Sequence, residues 1–114
     1  MIKIGNIKLS PTLREKKRYV VYEIVSGKKF MLNEVKTTVN NANQKFLGEL
    51  GMARAGIIHI DNLYKNNKGI LKVSNKYVNE LKLSLALIKS INNDKVIFNT
   101  IYTSGILKKA QKHM

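Results

Sequence analysis

The segment "YVVYEIVSG" at residues 19–27 determines the kind of fold that this chain can adopt. β-Branched and aromatic residues fill it up to the closing serine and glycine, a composition typical of a β-strand. Because successive side chains of a strand point to opposite faces, Val20, Tyr22 and Ile24 share one face and Val21 lies on the other. The segment is therefore predicted to be the first strand of a sheet.

Alternating helical and strand-like patterns follow this strand. Apolar residues recur at helical spacing up to Gly48, which predicts an amphipathic helix that ends there. The asparagine-rich sequence at 66–69 is typical of a hairpin turn. The one at 92–94 is predicted to end the helix that precedes it. The predicted elements after the first strand are a helix at 33–47, strands at 55–63 and 70–74, a helix at about 76–91, a strand at 95–103 and a short helical tail after Gly105.

The resulting order, β-α-β-β-α-β, predicts an α+β fold of the ferredoxin-like (RRM-like) kind. In that fold a four-stranded antiparallel sheet carries its helices on one face. A chain of 114 residues is expected to form one domain, with a basic N-terminal segment at 1–18, a core at 19–103 and a basic tail at 104–114. Ser10 and Pro11 predict a short helical turn before the first strand. The fold hosts RNA binders, regulators and small enzymes, so it does not decide the function.

Charge is the strongest signal in the composition. The chain has 21 Lys and Arg against 7 Asp and Glu, a net charge of +14. The excess positive side chains repel one another, and binding to a polyanion would relieve that repulsion. Nucleic acid is therefore the first candidate partner, and an anionic membrane surface is the second. A lysine-rich genome could raise the lysine count, but it would not remove acidic residues. The composition therefore favours RNA binding.

Two basic clusters are the candidate RNA-binding residues: Arg14, Lys16, Lys17 and Arg18 before the first strand, and Lys108, Lys109 and Lys112 in the tail. Arginine suits two-pronged phosphate contacts, and lysine acts as a point charge. We expect the clusters to start from opposite ends of two antiparallel strands, and to share a surface only by wrapping toward each other. The alternative is that both are solvated charge.

Apolar residues are also predicted on the sheet face away from the helices, which is a possible site for a partner protein: Val21, Ile57, Ile70, Ile97 and Ile101. An exposed patch of this kind is unusual for a soluble monomer. Either a partner protein or the chain's own ends are expected to cover it.

No catalytic residue and no metal site are predicted in the protein itself. His59 and His113 lack companions at metal-ligand spacing, and the acidic residues are scattered. Alternation within 55–63 places Ile58 and Ile60 inward and His59 on the open face, as an ordinary polar residue. Absence of cysteine excludes disulfides and thiolate sites. No apolar run is long enough to cross a bilayer, and the start does not resemble a signal peptide, so a cytoplasmic protein is expected.

Four segments together resemble the ribonuclease P protein component two family, which archaea and eukaryotes share. They are "LSPTLREKKRYVVYEI" at 9–24, "LGELG" at 47–51, "YVNELKLSLALI" at 77–88 and "TSGILKK" at 103–109. The resemblance covers nearly the whole chain, and its segments come in the family's order. Ile106 stands where the family commonly has threonine, and Met31 where a helix-capping serine or threonine is usual.

The resemblance implies a subunit of the ribonucleoprotein that removes the 5′ leader of precursor tRNA. It implies that the RNA carries the catalytic magnesium ions, and that the protein binds no cofactor. The implied partners are the ribonuclease P RNA, precursor tRNA indirectly, and a TIM-barrel protein subunit, in a possible dimer of heterodimers. Two rivals stay open: a structural RNA-binding protein of ribosomal type, and a ferredoxin-like regulator that senses a metabolite.

Overall fold

A computed structural model describes residues 16–114, so the predicted turn at 10–11 and the candidate residue Arg14 lie outside the described residues. The elements in chain order are β1 (Lys17–Val25), α1 (Leu32–Ala55), β2 (Ile58–His59), β3 (Lys68–Ser74), α2 (Val78–Ala86), β4 (Ser90–Ile91), β5 (Asp94–Lys95), β6 (Ile97–Ser104) and α3 (Leu107–Gln111). Short 3₁₀ helices lie at Asp61–Leu63 and Asn75–Tyr77.

Four strands form an antiparallel sheet in the order β2-β3-β1-β6, and β4 pairs with β5 in a separate hairpin. This is the strand order of the ferredoxin-like fold, so the predicted fold class is confirmed. The predicted first strand lies at the centre, between β3 and β6. A bulge in the β1–β6 pair falls between Val21, which faces Tyr102, and Tyr22, which faces Thr100, so that Ile101 is the additional residue.

The main core lies between this sheet and helices α1 and α2. Val20 and Tyr22 of β1 are fully buried there, as the period-two pattern predicted. Leu81 and Leu85 lie one turn apart on α2 and are also buried. Burial of such a leucine side chain contributes roughly 1.5–3 kcal/mol relative to an exposed one, so this α2 stripe is a large part of what holds the helix on the sheet.

Helix α1 is longer than predicted. The backbone leaves helical geometry at Gly48 (φ 72°, ψ 175°), where the sequence predicted the end of the helix. Helical structure then resumes as far as Ala55, and Gly56 (φ 59°) ends it in a left-handed conformation. The prediction of a strand from residue 55 was therefore wrong. The residues between Gly48 and Gly56 include good helix formers. Gly56 is the glycine that ends the helix in the usual way.

Strand β2 faces opposite to the prediction. The side chain of His59 is 6% exposed, and His59 pairs with Leu71, which belongs to the main core. Ile60 packs on the other face of the sheet, and Ile58 is 56% exposed. The predicted strand contained nine positions, but only Ile58–His59 is strand. A 3₁₀ helix follows immediately, so alternation over the longer segment assigned the wrong faces.

Two asparagine pairs form tight turns. The first lies where a hairpin turn was predicted, and the second where a helix was predicted to end. Asn66 and Asn67 have φ of 51° and 60°, and Asn92 and Asn93 have 50° and 70°. Two successive positive φ angles are the requirement of a type I′ hairpin turn, and asparagine tolerates them well. The second turn joins β4 to β5, which explains why α2 ends at Ala86 rather than near residue 91.

Helix α3 covers part of the sheet face that the sequence left open. Its Leu107 and Ala110 pack with Val21 and Ile70, and the His113 ring stacks on Tyr102 with centroids 3.7 Å apart. The predicted apolar patch is therefore not one exposed surface, because the chain turns back after Gly105. The patch residues lie in three places: Val21 and Ile70 fully buried under α3, Ile57 packed against the main core, and Ile97 and Ile101 exposed by 60% and 39%.

Within residues 16–114 no helix is long and apolar enough to cross a membrane.

Candidate nucleic-acid interface

The two predicted basic clusters begin at the same end of the sheet. Tyr19, near the start of β1, pairs with Ser104, the last residue of β6. Lys17 pairs with Ser74, the last residue of β3. The expectation that the clusters start from opposite ends was wrong, because an antiparallel neighbour ends where the first strand begins. The basic segment and the basic tail therefore leave the sheet side by side.

Arg18 connects the two clusters. Its Nη1 donates a hydrogen bond to the carbonyl oxygen of Lys17 over 3.2 Å. A Cβ atom added to Gly105 would lie only 3.1 Å from the same Nη1. The guanidinium thus lies against the backbone of the turn that leads into α3, and the absence of a side chain at Gly105 permits that close approach.

Lys16 and Lys17 are held at this end by the neighbouring elements. The Asn75 backbone N–H donates to the Lys16 carbonyl oxygen over 2.8 Å, so the chain after β3 fixes the start of β1. A Cβ atom on Gly56 would lie 3.3 Å from Lys17 Nζ, so the end of α1 also reaches this place. Lys16 itself is exposed to solvent.

Two further basic residues lie at this end, and sequence reasoning missed both. Arg54 is exposed in the last turn of α1, two residues before the glycine that approaches Lys17. Lys76 is exposed next to Asn75. The signal that could have found them is their position, since α1 and β3 both end where β1 begins. We call this set the basic end: Lys16, Lys17, Arg18, Arg54, Lys76 and the α3 lysines Lys108 and Lys109.

Helix α3 separates its apolar and basic residues. Ala110 is buried against the sheet, whereas Lys108, Lys109 and Lys112 are exposed. The helix therefore carries its positive charge on the surface that faces solvent.

The other end of the sheet carries charges of both signs. Glu23 pairs with Lys68 near the end of β1, and Asp94 accepts a hydrogen bond from Lys28 over 3.2 Å. Glu80 lies instead near the basic end, in the first turn of α2, and its Oε2 is buried without a hydrogen-bond partner among the described residues. Seven Lys and Arg side chains thus gather at the basic end, whereas lysines and carboxylates lie next to each other at the other end.

A second polar cluster lies between α1 and the β2 edge, and we call it the buried polar chain after its two buried members, Tyr22 and His59; its other members, Lys36 and Asp61, are 44% and 45% exposed. Lys36 Nζ donates to Asp61 Oδ2 over 2.8 Å, and His59 Nδ1 donates to Asp61 Oδ1 over 3.1 Å. With its proton on Nδ1, His59 accepts at Nε2 a hydrogen bond from the Tyr22 hydroxyl over 2.6 Å. The prediction that His59 lies on the open face was wrong, because Tyr22 reaches across Gly69 to bind it.

Burial and hydrogen bonding explain the ionisation of this chain. Burial lowers the pKa of His59 below its usual 6.5, although the hydrogen bond to Asp61 opposes that effect. The hydrogen bond from Lys36 lowers the pKa of the Asp61 carboxyl, and burial raises the pKa of the Tyr22 hydroxyl. A neutral histidine between a carboxylate and a buried phenol is fully hydrogen-bonded, so the arrangement stabilises the sheet edge.

Groups of three or more histidine or acidic side chains that could hold a metal ion do not occur in the part of the chain that the structure describes.

A family model and several named relatives match this chain over most of its length. The model of the Rpp14/Pop5 family matches residues 18–114. Ribonuclease P protein component 2 of Thermococcus kodakarensis is 38% identical over 104 residues, which cover 91% of this chain and 87% of that protein. The protein of the same name from Pyrococcus furiosus is 35% identical over 106 residues, which cover 91% of this chain and 87% of that protein. The one from Methanococcus maripaludis is 36% identical over 104 residues, which cover 91% of this chain and 78% of that protein.

Among solved structures, a chain in the cryo-EM structure of yeast ribonuclease MRP superimposes with a TM-score of 0.66. The match covers 82% of this chain and 77% of that chain at 12% identity, so it shows a shared fold. The family match and the relatives confirm the resemblance found in the four sequence segments. The chain belongs to the Rpp14/Pop5 family.

Proposed function

We propose that this chain is a protein subunit of ribonuclease P, the ribonucleoprotein that removes the 5′ leader of precursor tRNA. The observation that carries the proposal is the pairing of Tyr19 with Ser104. It brings the basic start of β1 and the basic helix α3 to one end of a chain with a net charge of +14. Membership of a family whose relatives are named ribonuclease P protein component 2 supports the same assignment.

In this proposal the basic end binds phosphates of the ribonuclease P RNA and holds its catalytic domain in shape. Arg18 contributes two-pronged contacts, and the lysines contribute point charges. Binding releases counterions from the RNA, so the affinity depends steeply on salt. The RNA carries the magnesium ions and performs the cleavage, and no residue of the protein takes part in the chemistry.

We further propose a protein partner on the helix side, of the TIM-barrel kind that the sequence resemblance implied, with a dimer of heterodimers as the possible assembly. Apolar exposure supports a partner there, since Phe46 on α1, Leu83 on α2 and Leu87 directly after α2 are each about half exposed. Precursor tRNA would be contacted through the assembled ribonucleoprotein, in the cytoplasm.

The test compares two RNAs of equal length, ribonuclease P RNA from the same organism and a ribosomal RNA fragment. The full chain should bind the first more tightly. Affinity should fall by about a thousandfold between roughly 50 and 200 mM salt if about six basic residues neutralise phosphates. Equal affinity for the two RNAs would favour a general RNA-binding protein, and a flat salt dependence would contradict the role of the basic end.

A further inference from the structure

Two aromatic rings stack where helix α3 ends, and we call them the stacked pair. The His113 imidazole lies on the Tyr102 ring with centroids 3.7 Å apart and an angle of 18° between the two planes. Tyr102 is half-buried, whereas His113 is exposed to solvent. Within residues 16–114, Tyr102 is the only ring that stacks on the imidazole. One face of His113 therefore rests on the protein, and its exposed surface includes the opposite face.

The backbone holds both members of the stacked pair in place. Tyr102 follows Ile101, the additional residue of the β1–β6 bulge, and bulges often turn a neighbouring side chain toward a functional site. The Tyr102 ring also packs in the apolar cluster between α3 and the sheet. The His113 backbone N–H donates to the Ala110 carbonyl oxygen over 3.0 Å. Because the imidazole is already ordered, a ligand that stacks on it costs the protein little conformational freedom.

Positive charge lies beside the stacked pair on the same segment. Lys109 precedes His113 by one helical turn, and Lys112 is its neighbour in the chain. Both lysines are exposed, and no acidic residue occurs in the sequence after Asp94. Single-stranded nucleic acid is bound by this combination, since rings stack on its bases and cations attract its phosphates. Histidine is one of the side chains on which proteins stack unpaired RNA bases.

We propose that the exposed face of His113 stacks on an unpaired base of RNA, while Lys109 and Lys112 bind the neighbouring phosphates. The result is a stack of three rings: Tyr102, His113 and the base. An acidic peptide would use the two lysines and leave the imidazole face without a partner, so the stacked pair favours nucleic acid. The inference rests on the proposed function, because it adds a contact to an unpaired base to the phosphate contacts of the basic end.

The first experiment follows the imidazole C–H signals of the full chain by NMR during titration with a short oligoadenylate. The chain has two histidines, and His59, whose side chain is 6% exposed, serves as the internal control. The His113 signals should shift and saturate as a base stacks, and the His59 signals should stay in place. An abasic ribose-phosphate oligomer of equal length should shift the His113 signals much less. Unshifted His113 signals with oligoadenylate, or equal shifts with the abasic oligomer, would overturn the proposal.

The second experiment separates the ring of His113 from its possible charge. His113→Ala should weaken the binding of oligoadenylate by on the order of tenfold, which is the loss expected for one stacked base. His113→Phe keeps a ring without a charge and should retain the affinity of the unchanged protein. His113→Lys supplies a charge without a ring and should not retain it. Gln111→Ala, at another exposed position of α3, is the matched control and should have no effect.

The salt dependence of these variants separates stacking from phosphate binding. His113→Ala should leave the slope of log affinity against log salt unchanged, because a stacked base releases no counterion. Lys112→Ala should lower that slope by about one. Rescue by lysine but not by phenylalanine, or a His113→Ala affinity equal to that of Gln111→Ala, would overturn the proposal. Lower stability of His113→Ala with unchanged affinity would assign the stacked pair a purely structural role and would overturn it as well.

The two proposals can fail separately. Tight, salt-dependent binding of ribonuclease P RNA that His113→Ala does not weaken would reject the base contact and retain the proposed function. Stacking of oligoadenylate on His113 without any preference for ribonuclease P RNA would do the reverse.

Discussion

Replacing Gly69 with alanine tests the packing of the sheet around Tyr22. Gly69 faces Tyr22 in the β1–β3 register. A Cβ atom at this position would lie 2.6 Å from Tyr22 Cζ and 2.9 Å from Cε1, with the hydroxyl oxygen closer still. These separations are well inside the roughly 3.5–4.0 Å of favourable contact. Tyr22 has no exposed surface, so its ring can move away only by displacing core residues and by stretching its hydrogen bond to His59.

The expected loss of stability has three parts. Overpacking of a core costs about 1–3 kcal/mol, and leaving buried partners of a broken hydrogen bond unsatisfied costs about 1–3 kcal/mol. The lower entropy of the unfolded alanine chain returns about 0.4–1 kcal/mol. The free energy of unfolding should therefore fall by roughly 3 kcal/mol, which moves a urea midpoint by about 1 M or more at the usual slope for a small protein.

Gly27→Ala is the matched control, because no atom lies within 4 Å of a Cβ at Gly27, and its free energy of unfolding should change by no more than about 0.5 kcal/mol. In a double-mutant cycle, Tyr22→Phe removes the nearest atom, so Gly69→Ala should cost less in that background. A Gly69→Ala protein as stable as the Gly27→Ala control, or strictly additive effects in the cycle, would refute the reasoning.

The remaining predictions concern pH, RNA processing and α3. Because burial lowers the pKa of His59, the free energy of unfolding should fall as the pH drops below about 6.5, where the unfolded chain binds a proton that the folded chain does not. Urea titrations at several values between about pH 7.5 and 5 should show that the free energy of unfolding depends less steeply on pH in His59→Gln than in the unchanged protein. An equally steep pH dependence would assign the effect to another group. Changing Arg14, Lys17 and Arg18 together to alanine should weaken leader removal by the reconstituted ribonucleoprotein at low magnesium and spare it at high magnesium; normal processing at low magnesium would make the cluster a solvated edge. Ala110→Asp should lower the free energy of unfolding by about 1–3 kcal/mol, because the new carboxylate lies under α3. Gln111→Asp, at the exposed next position, should leave the free energy of unfolding nearly unchanged. Equal effects at the two positions would contradict the packing of α3.

Local pattern was sufficient to predict the parts of the fold that depend on neighbouring residues. The alternation of β1 predicted its buried face correctly, since Val20 and Tyr22 lie in the main core. The asparagine pair at 66–67 predicted its hairpin turn, because the requirement for positive φ lies in the turn residues themselves. The pair at 92–93 predicted only the end of a helix, and the structure has a second hairpin turn there. The order of elements predicted the sheet, because few topologies fit it.

Long-range contacts decided the parts that the sequence did not predict. The reversed face of β2 depends on the hydrogen bond between His59 and Tyr22, which lie far apart in the chain. Arg54 joins the basic end because α1 resumes after Gly48, and helix-breaking glycine gave no hint of that. Asn43 is one of several asparagines in the α1 sequence, and its burial at the wall of a cavity is visible only in three dimensions.

If the basic end binds RNA as proposed, the pairing of Tyr19 with Ser104 makes that recognition conditional on the completed sheet. The central strand β1 can pair with β6 only after β6 has been made and folded, so the two groups of positive charge stay apart in a nascent or partly unfolded chain. RNA that binds only the finished arrangement stabilises it in proportion to its concentration above the dissociation constant. A marginally stable chain would then be rescued by its own RNA, and orphan copies without RNA would be the ones exposed to proteases. Subunit supply would in this way be matched to RNA supply by folding thermodynamics alone.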